Sequence, residues 1–206
     1  MTQPTYGDEL EIVDAAQLPS HAFGHRSMMW WGVAGMIAIE GSVFALAIAS
    51  YLYIRAGSSE WPPVAQPPAL LWGTINTLIL ILSLIPNEWT KRAAERYDLA
   101  KVKTGLLVCL LFSVAFLAVR VLEFSHLNCR WDTNAYGSVV WMLLGLHTLH
   151  LLTDAYDSAV LTALVWFGPL EDKTFVDVSE SAVYWYFVVL AWLPIYAIVY
   201  FGPRLL

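Results

Sequence analysis

The sequence is poor in charge. Only 14% of its 206 residues are Asp, Glu, Lys or Arg, whereas 58% are hydrophobic. The charges that it has are unevenly placed, because five long windows contain almost none of them. A water-soluble domain carries charged and polar side chains over its whole surface. This distribution therefore excludes a soluble domain.

Other shortages exclude further classes of protein. The chain has 2 cysteines, Cys109 and Cys129, and their spacing fits neither a metal-site motif nor a disulfide framework. The formal net charge of −6 argues against a nucleic-acid partner, since displacing counterions from phosphates requires a basic face. The segment before the first apolar window is acidic where a signal peptide would be basic.

The five windows have the length of membrane spans. Each is near or above the about 20 residues that a helix needs to cross about 30 Å of hydrocarbon. A membrane β-barrel would instead show alternating segments of about 10 residues. We predict an all-α integral membrane protein, a bundle of five transmembrane helices over residues 28–206 that follows an N-terminal segment over residues 1–27. The predicted spans cover residues 28–54, 69–86, 104–124, 135–168 and 181–203.

The basic residues predict the orientation of the chain. Lys and Arg near membrane spans are retained on the cytoplasmic side. Most of the 11 Lys and Arg residues lie in the segment before the first span and in the second and fourth loops, which share one side of the membrane. We therefore predict a cytoplasmic N-terminus and a C-terminus on the periplasmic or extracellular side.

One acidic residue interrupts the first span. Glu40 lies about twelve residues inside that window, which at about 1.5 Å per residue places it about 18 Å deep. An ionisable group near the bilayer centre costs several kcal/mol and is usually kept for a purpose. Glu40 is therefore either a structural acid that is hydrogen-bonded to a neighbouring helix or a group that exchanges protons.

The fourth span carries four polar residues on one face. His147, His150, Asp154 and Asp157 fall within about 80° of arc on a helix. His147 reaches the depth of Glu40 from the opposite membrane face, so we predict one buried polar cluster of Glu40, His147 and His150. A hydrogen-bonded strut, a proton-exchanging site and a metal site are open as its role. Asp154 and Asp157 are expected at the solvated cytoplasmic end.

Few other residues point to chemistry. Arg120 and Glu123 are three residues apart on the third span and are expected to form a local ion pair near the outer surface. Apart from the fourth span with its His147 and His150, the spans add only the carboxylates Glu40 and Glu123 as potential metal ligands, and carboxylate-bridged metal bundles need paired Glu-x-x-His motifs. We predict no metal site and no catalytic residue. Small residues from Gly32 to Ala49 favour close approach of another helix or subunit.

These motifs resemble subunit III of the haem-copper respiratory oxidases, in its five-helix bacterial form. The resemblance covers about residues 28–201. Its motifs are Glu40 with Phe44, Tyr51 and Arg55; Trp61-Pro62-Pro63; Glu123-Phe124; Tyr136-Gly137-Ser138; Gly145-Leu146-His147-Thr148-Leu149-His150; and Tyr184-Trp185-Tyr186-Phe187-Val188. In the last helix, Tyr186 and Val189 stand where this family usually has His and Asp. Asp154 and Asp157 replace residues that are commonly Gly or apolar.

The resemblance implies a non-catalytic subunit of a bacterial aerobic terminal oxidase. Such a subunit lies in the plasma membrane, binds phospholipids, and contacts the catalytic subunit I, which holds the haem and copper, and subunit II. It supports assembly, proton uptake and durability during turnover. In this chain Asp154 and Asp157, at the expected cytoplasmic end of the fourth span, are candidate proton-entry carboxylates. A larger respiratory supercomplex is a further partner. The chain itself would bind no haem or copper, because only His147 and His150 of its 5 histidines lie in predicted spans.

Three alternatives stand beside this interpretation. An accessory subunit of a nitric oxide reductase would share the fold. A small proton-coupled transporter would use Glu40 and His147 as a proton relay, although the sequence has no internal repeat of the kind that transporters show. A membrane metalloenzyme would need the metal site that the ligand count disfavours.

Overall fold

The computed structural model describes residues 22–63, 66–169 and 171–205. Within these ranges, five helices are long and apolar enough to cross a membrane, which confirms the predicted fold class. They are α1 (Met28–Ala56), α2 (Leu70–Glu95), α3 (Leu99–Ser125), α4 (Ala135–Phe167) and α5 (Asp172–Tyr196), followed by a π-helical turn at Ala197–Phe201 and a last turn at Gly202–Leu205. The predicted N-terminal segment lies outside the described residues as far as residue 21.

Three helices, α2, α3 and α5, extend well beyond one end of the predicted spans. Helix α2 continues through Pro86, where the predicted span stops, and ends at Glu95. Asp98 then caps α3, because its side chain accepts a hydrogen bond from the backbone N–H of Lys101 at 3.2 Å. Helix α5 begins in the charged segment at Asp172. Charged turns at helix ends remain helical where they reach water, so charge alone does not mark where a helix stops.

Four of the helices form a closed ring. Helix α2 contacts α3 and α5, and α4 contacts the same two helices from the other side. Helix α1 packs outside this ring, against α4 and α5. Only Phe44, Ala47 and Tyr51 of α1 are buried. The ring therefore holds most of the protein interior, and α1 presents most of its surface outward.

The interior contains two apolar clusters with polar residues between them. One cluster is built around Leu80, Phe116, Leu151 and Val188, and the other around Ala94, Leu106, Leu161 and Val178. Along each helix of the ring, small polar residues separate the two clusters. They are Ser83 and Asn87 on α2, Cys109 and Ser113 on α3, Asp154 and Ser158 on α4, and Ser181 on α5.

The loop between α1 and α2 folds back over the bundle. The indole N–H of Trp61 donates to the Tyr51 hydroxyl at 3.0 Å, and this hydroxyl donates to the backbone oxygen of Ile198 at 3.1 Å. The Trp61 ring also lies edge-on against Tyr51 and Tyr136, with centroids 5.2 and 4.9 Å apart. These contacts join α1 to the last turns of the chain and to the start of α4.

We predict that Gly105→Ala destabilises the bundle. A Cβ at Gly105 would collide with the side chain of Thr90, so α2 and α3 would have to separate. Overpacking of this kind costs about 1 to 3 kcal/mol. Gly35→Ala is the matched control, because a Cβ at Gly35 meets nothing within 4 Å. Thermal unfolding of the purified chain in detergent should show a lower midpoint for Gly105→Ala alone; equal midpoints would contradict the close packing.

Candidate functional site

A buried ion pair lies at the centre of the ring. Arg120 and Glu123 on α3 are 1% and 2% exposed, and Arg120 Nη1 lies 2.8 Å from Glu123 Oε2. The side-chain amide of Asn76 on α2 and the hydroxyl of Tyr200 also donate to this carboxylate. Glu123 thus accepts hydrogen bonds from three directions. The ion pair expected from the sequence forms, and it is enclosed by partners from other helices.

His147 extends this network to α4. Its Nε2 lies 3.0 Å from the backbone oxygen of Val188, and its Nδ1 lies 3.3 Å from Arg120 Nη2. A backbone oxygen only accepts and a guanidinium only donates, so Nε2 carries the hydrogen and Nδ1 accepts. These two partners together fit a neutral imidazole. His147 is fully buried and therefore joins α3, α4 and α5 as a fixed hydrogen-bonded group.

Aromatic rings enclose the guanidinium. The Arg120 Cζ atom lies 4.2 Å from the Trp192 ring centroid and 4.8 Å from that of Phe116. The Trp192 indole N–H donates to Thr77 Oγ1 at 2.8 Å, which fixes the ring against α2. Cation–π contacts gain strength when the cation is desolvated. The aromatic groups therefore offset part of the free energy lost when Arg120 leaves water.

Gly73 makes room for one of the partners. A Cβ at Gly73 would lie 2.5 Å from the Tyr200 ring, closer than any real Cβ contact. The π-helical turn at Ala197–Phe201 carries Tyr200 to this position, where its hydroxyl reaches Glu123. Glycine at position 73 thus leaves space for the Tyr200 ring, and the irregular turn after α5 brings its hydroxyl to Glu123.

Glu40 belongs to a second, smaller group. The Tyr184 hydroxyl on α5 donates to Glu40 Oε2 at 2.7 Å. His150 Nε2 lies 3.7 Å from the same oxygen, while its Nδ1 lies 2.7 Å from the backbone oxygen of Leu146. Both side chains are partly exposed. This group joins α1 to α4 and α5, and its polar atoms are accessible from outside the bundle.

The structure therefore divides the cluster that the sequence predicted. Glu40 makes its contacts with His150 and Tyr184, whereas His147 contacts Arg120 and Val188. Residues three apart on a helix point about 60° away from each other. His147 consequently faces the centre of the ring while His150 faces α1. The Phe44 ring lies between the two groups, with its centroid 4.8 Å from that of His150 and 6.2 Å from that of His147.

The two aspartates of α4 have different surroundings. Asp157 is exposed, but Asp154 is only 5% exposed and lies inside the ring. The expectation of a solvated Asp154 is wrong. Its neighbours along α4, Leu151 and Ser158, are buried as well, which shows that this face of the helix continues into the protein interior.

Tyr186 has a partner on another helix. Its hydroxyl donates to Glu88 on α2, which also accepts from Arg92 Nε at 2.5 Å. Val189, the other residue that departs from the expected family pattern, is buried in the apolar core. The last helix thus makes a polar contact with α2 at position 186, while position 189 contributes to the apolar core.

The potential metal ligands are dispersed. Among the described residues, no group of three or more His, Cys, Asp or Glu side chains is arranged to hold a metal ion. Cys109 and Cys129 are both free thiols. Burial raises the pKa of Cys129, in the loop before α4, to about 11, so this thiol stays protonated near neutral pH.

The hydrogen-bond partners of several residues in both networks cannot be predicted from the sequence. Asn76, Tyr184 and Tyr200 lie in apolar windows, and nothing in the sequence identifies their hydrogen-bond partners. A buried amide in a membrane span is a usable signal, because it must find a hydrogen-bond partner inside the protein. Tyrosine carries no such signal, since the aromatic belts of membrane proteins contain many.

We predict that Glu123→Gln strongly destabilises the chain. The substitution leaves the Arg120 charge buried without its counter-ion, at a cost of about 3 to 5 kcal/mol. Adding Arg120→Met to the same chain should recover much of this loss. Lys101→Gln, which breaks the exposed pair with Asp98, is the control and should cost no more than about 1 kcal/mol. Chemical denaturation in mixed micelles measures all four chains; similar losses for both single variants would refute the central role of Glu123.

We also predict that Glu40 is coupled to His150 and not to His147. In double-mutant cycles with alanine, the pair Glu40 and His150 should deviate from additivity by about 0.5 kcal/mol or more, because they share a contact. The pair Glu40 and His147 should be additive within about 0.5 kcal/mol. Stability of each variant in detergent is the measurement. Coupling of Glu40 to His147 alone would show that the two groups act as one.

Comparisons with known proteins agree with this architecture. Residues 19–203 match the protein family described as Cytochrome c oxidase subunit III. A cytochrome c oxidase subunit 3 of Synechocystis sp. is 26% identical, over 86% of this chain and 77% of its own length. One from Thermostichus vulcanus is 24% identical, over 89% of this chain and 92% of its own length. A probable cytochrome c oxidase subunit 3 of Mycobacterium leprae is 28% identical, over 88% and 91%.

The matched region includes all five spanning helices and every residue of the two polar networks. The family resemblance inferred from the motifs is thereby confirmed. The chain belongs to the cytochrome c oxidase subunit III family.

Proposed function

We propose that this chain is the non-catalytic third subunit of a bacterial aerobic terminal oxidase and prolongs the working life of the catalytic subunit. Membership of the family implies a multi-pass membrane protein that associates with other oxidase subunits. Within that frame, subunit I, which carries the haem and copper, and subunit II are the partners that we propose. The plasma membrane, with the N-terminus in the cytoplasm, is the proposed location.

A groove beside α1 is the observation that carries the proposal. Helices α1, α4 and α5 enclose about 620 Å³ of open space. Its apolar wall is long enough for part of an acyl chain, and its polar edge includes both signs of charge. The apolar residues are Met29, Val33, Met36, Val160, Leu161 and Leu164, and the charged ones are Glu40, Asp154, Asp157, Lys173, Asp177 and Glu180.

This groove suits a phospholipid. An amphiphile can place its acyl chain against the apolar wall while Lys173 meets a headgroup phosphate. Glu40 lies on the same groove and is tied to Tyr184 and His150. The Glu40 group therefore sets the spacing of α1 from α4 and α5, and through it the width of the groove. A lipid held here would fill the space between α1 and the ring of helices.

The proposed proton-uptake role has a narrower basis. Asp157 is exposed, and Asp154 lies one turn away on α4 with its side chain bordering the groove. Carboxylates at a membrane surface attract protons and pass them to neighbouring acceptors. Asp157 is the better entry group of the two, since its side chain is exposed and that of Asp154 is buried.

We predict that Glu40→Ala and His150→Ala shorten the life of the assembled oxidase. Oxygen consumption by the purified complex, followed over many turnovers, should start at nearly the normal rate and then decline faster, because the groove loses its fixed width. Asp132→Ala, in an exposed loop, is the matched control and should behave as the unmodified complex. Immediate and complete loss of activity in a complex that still contains all subunits would instead assign a catalytic part to this group.

A further inference from the structure

The polar residues between the two apolar clusters surround a small chamber. It has a volume of about 20 Å³, which holds one guest of the size of a water molecule. All four helices of the ring contribute to its wall. We define the chamber by its lining residues, Ser83, Asn87, Cys109, Ser113, Asp154, Ser158, Ser181 and Trp185.

The chamber is rich in hydrogen-bond acceptors. The Ser113 hydroxyl donates to the backbone oxygen of Cys109 at 3.2 Å, and the Asn87 amide donates to that of Ala182 at 3.0 Å. The Ser83 hydroxyl likewise donates to the backbone oxygen of Leu80 at 2.6 Å. The hydroxyl hydrogens of Ser83 and Ser113 are thereby committed, and the Ser83 oxygen already accepts from the Trp185 indole N–H at 2.9 Å. The side-chain oxygens of Ser113 and Asn87 and the Asp154 carboxylate are left as acceptors. A guest that is positively charged or rich in hydrogens suits such a wall.

Asp154 is the charged member of the wall. It is only 5% exposed, and its carboxylate makes no hydrogen bond or ion pair with any residue in the described ranges. An isolated carboxylate in a low-dielectric interior is strongly unfavourable unless a proton or another cation neutralises it. Two further carboxylate oxygens on α5, Asp177 Oδ1 and Glu180 Oε2, are buried without a hydrogen-bond partner in the same part of the structure.

A route into the chamber leads from the groove beside α1. Asp154 and Ser181 border both spaces, so they form the wall between them. Most of the charged groups around Asp154 are acidic. The charged and titratable groups there are Asp157 on α4, Lys173, Asp177, Glu180 and Tyr184 on α5, Glu40 on α1 and Cys109 on α3. Carboxylates outnumber the single lysine, and the field at the entrance therefore attracts cations.

We propose that the chamber is a binding site for one small monovalent cation, with Asp154 as its charged ligand and the surrounding hydroxyl and amide oxygens as neutral ligands. Hard cations prefer oxygen ligands of these types. Two ions have the required charge and size, a proton carried on water and Na⁺. The proposal does not depend on the lipid-binding or turnover role, because the chamber is built within this chain.

The test uses the purified oxidase complex that contains this chain. A hydrophobic carbodiimide reacts with protonated carboxyl groups, and peptide mass spectrometry reports the extent of labelling at Asp154. Labelling is measured across pH and Na⁺ concentration, with choline chloride keeping the ionic strength constant. Na⁺ that protects Asp154 where choline does not supports a sodium site. Labelling that rises on acidification and ignores Na⁺, with a midpoint that the lining substitutions below displace, supports the proton carried on water.

Substitution of a neutral ligand distinguishes a cation-binding chamber from an isolated carboxyl group that only gains and loses a proton. Ser158→Ala removes one lining hydroxyl and should raise the half-protecting Na⁺ concentration about three- to tenfold, or displace the labelling midpoint toward lower pH by about 0.5 to 1 unit. Ser181→Ala should act in the same direction. Thr162→Ala is the matched control, since Thr162 lies one turn along α4 from Ser158 and does not line the chamber.

Three results would overturn the proposal. The first is absence of labelling at Asp154 under every condition, and the second is labelling that stays constant across both pH and Na⁺ concentration. The third is that Ser158→Ala and Ser181→Ala have the same labelling midpoint as the unmodified complex. None of these results bears on the lifetime of the oxidase during turnover, so a failed ion site and a failed turnover role give different data.

Discussion

The Arg120–Glu123 ion pair is the interaction on which the ring of helices depends. Neither charge can be hydrated at its position, so each must be satisfied by protein atoms. Glu123 takes hydrogen bonds from α2, α3 and the turn after α5, and Arg120 reaches His147 on α4. Because the hydrogen bonds of a buried charged group require narrow ranges of distance and angle, these contacts specify how the four helices are oriented. Apolar packing alone would allow the helices to rotate or slide at a small cost in free energy.

The same constraint explains why α1 lies outside the ring. This helix has one ionisable residue in its apolar window, and Glu40 is satisfied by Tyr184 and His150 at the ring's outer surface. Helix α1 therefore has fewer directional contacts than its neighbours, and a groove remains beside it. In a subunit that associates with others, such a peripheral helix can adjust to a lipid or to another subunit without disturbing the central network.

Much of the architecture follows from the sequence. The five windows, each nearly free of charged residues, are sufficient to predict five spanning helices. The order of the motifs from Glu40 to Tyr184 indicates the family. The predicted pairing of Arg120 with Glu123 is local, since residues three apart on a helix are neighbours whatever the rest of the chain does. The sequence also indicates that Glu40, His147 and His150 need polar partners on another helix, but it does not indicate that they divide into two groups.

What the sequence determined by itself is periodic or local: the spans, the face of α4 that carries His147 to Asp157, and the ion pair on α3. What only the tertiary structure decided is which helix meets which polar residue. A helix wheel places His147 and His150 on one broad face, but the 60° between them sends one to Arg120 and the other to Glu40 once α1 packs outside the ring. Burial of Asp154 has the same origin, because helix length and depth do not reveal whether a residue faces water or three other helices.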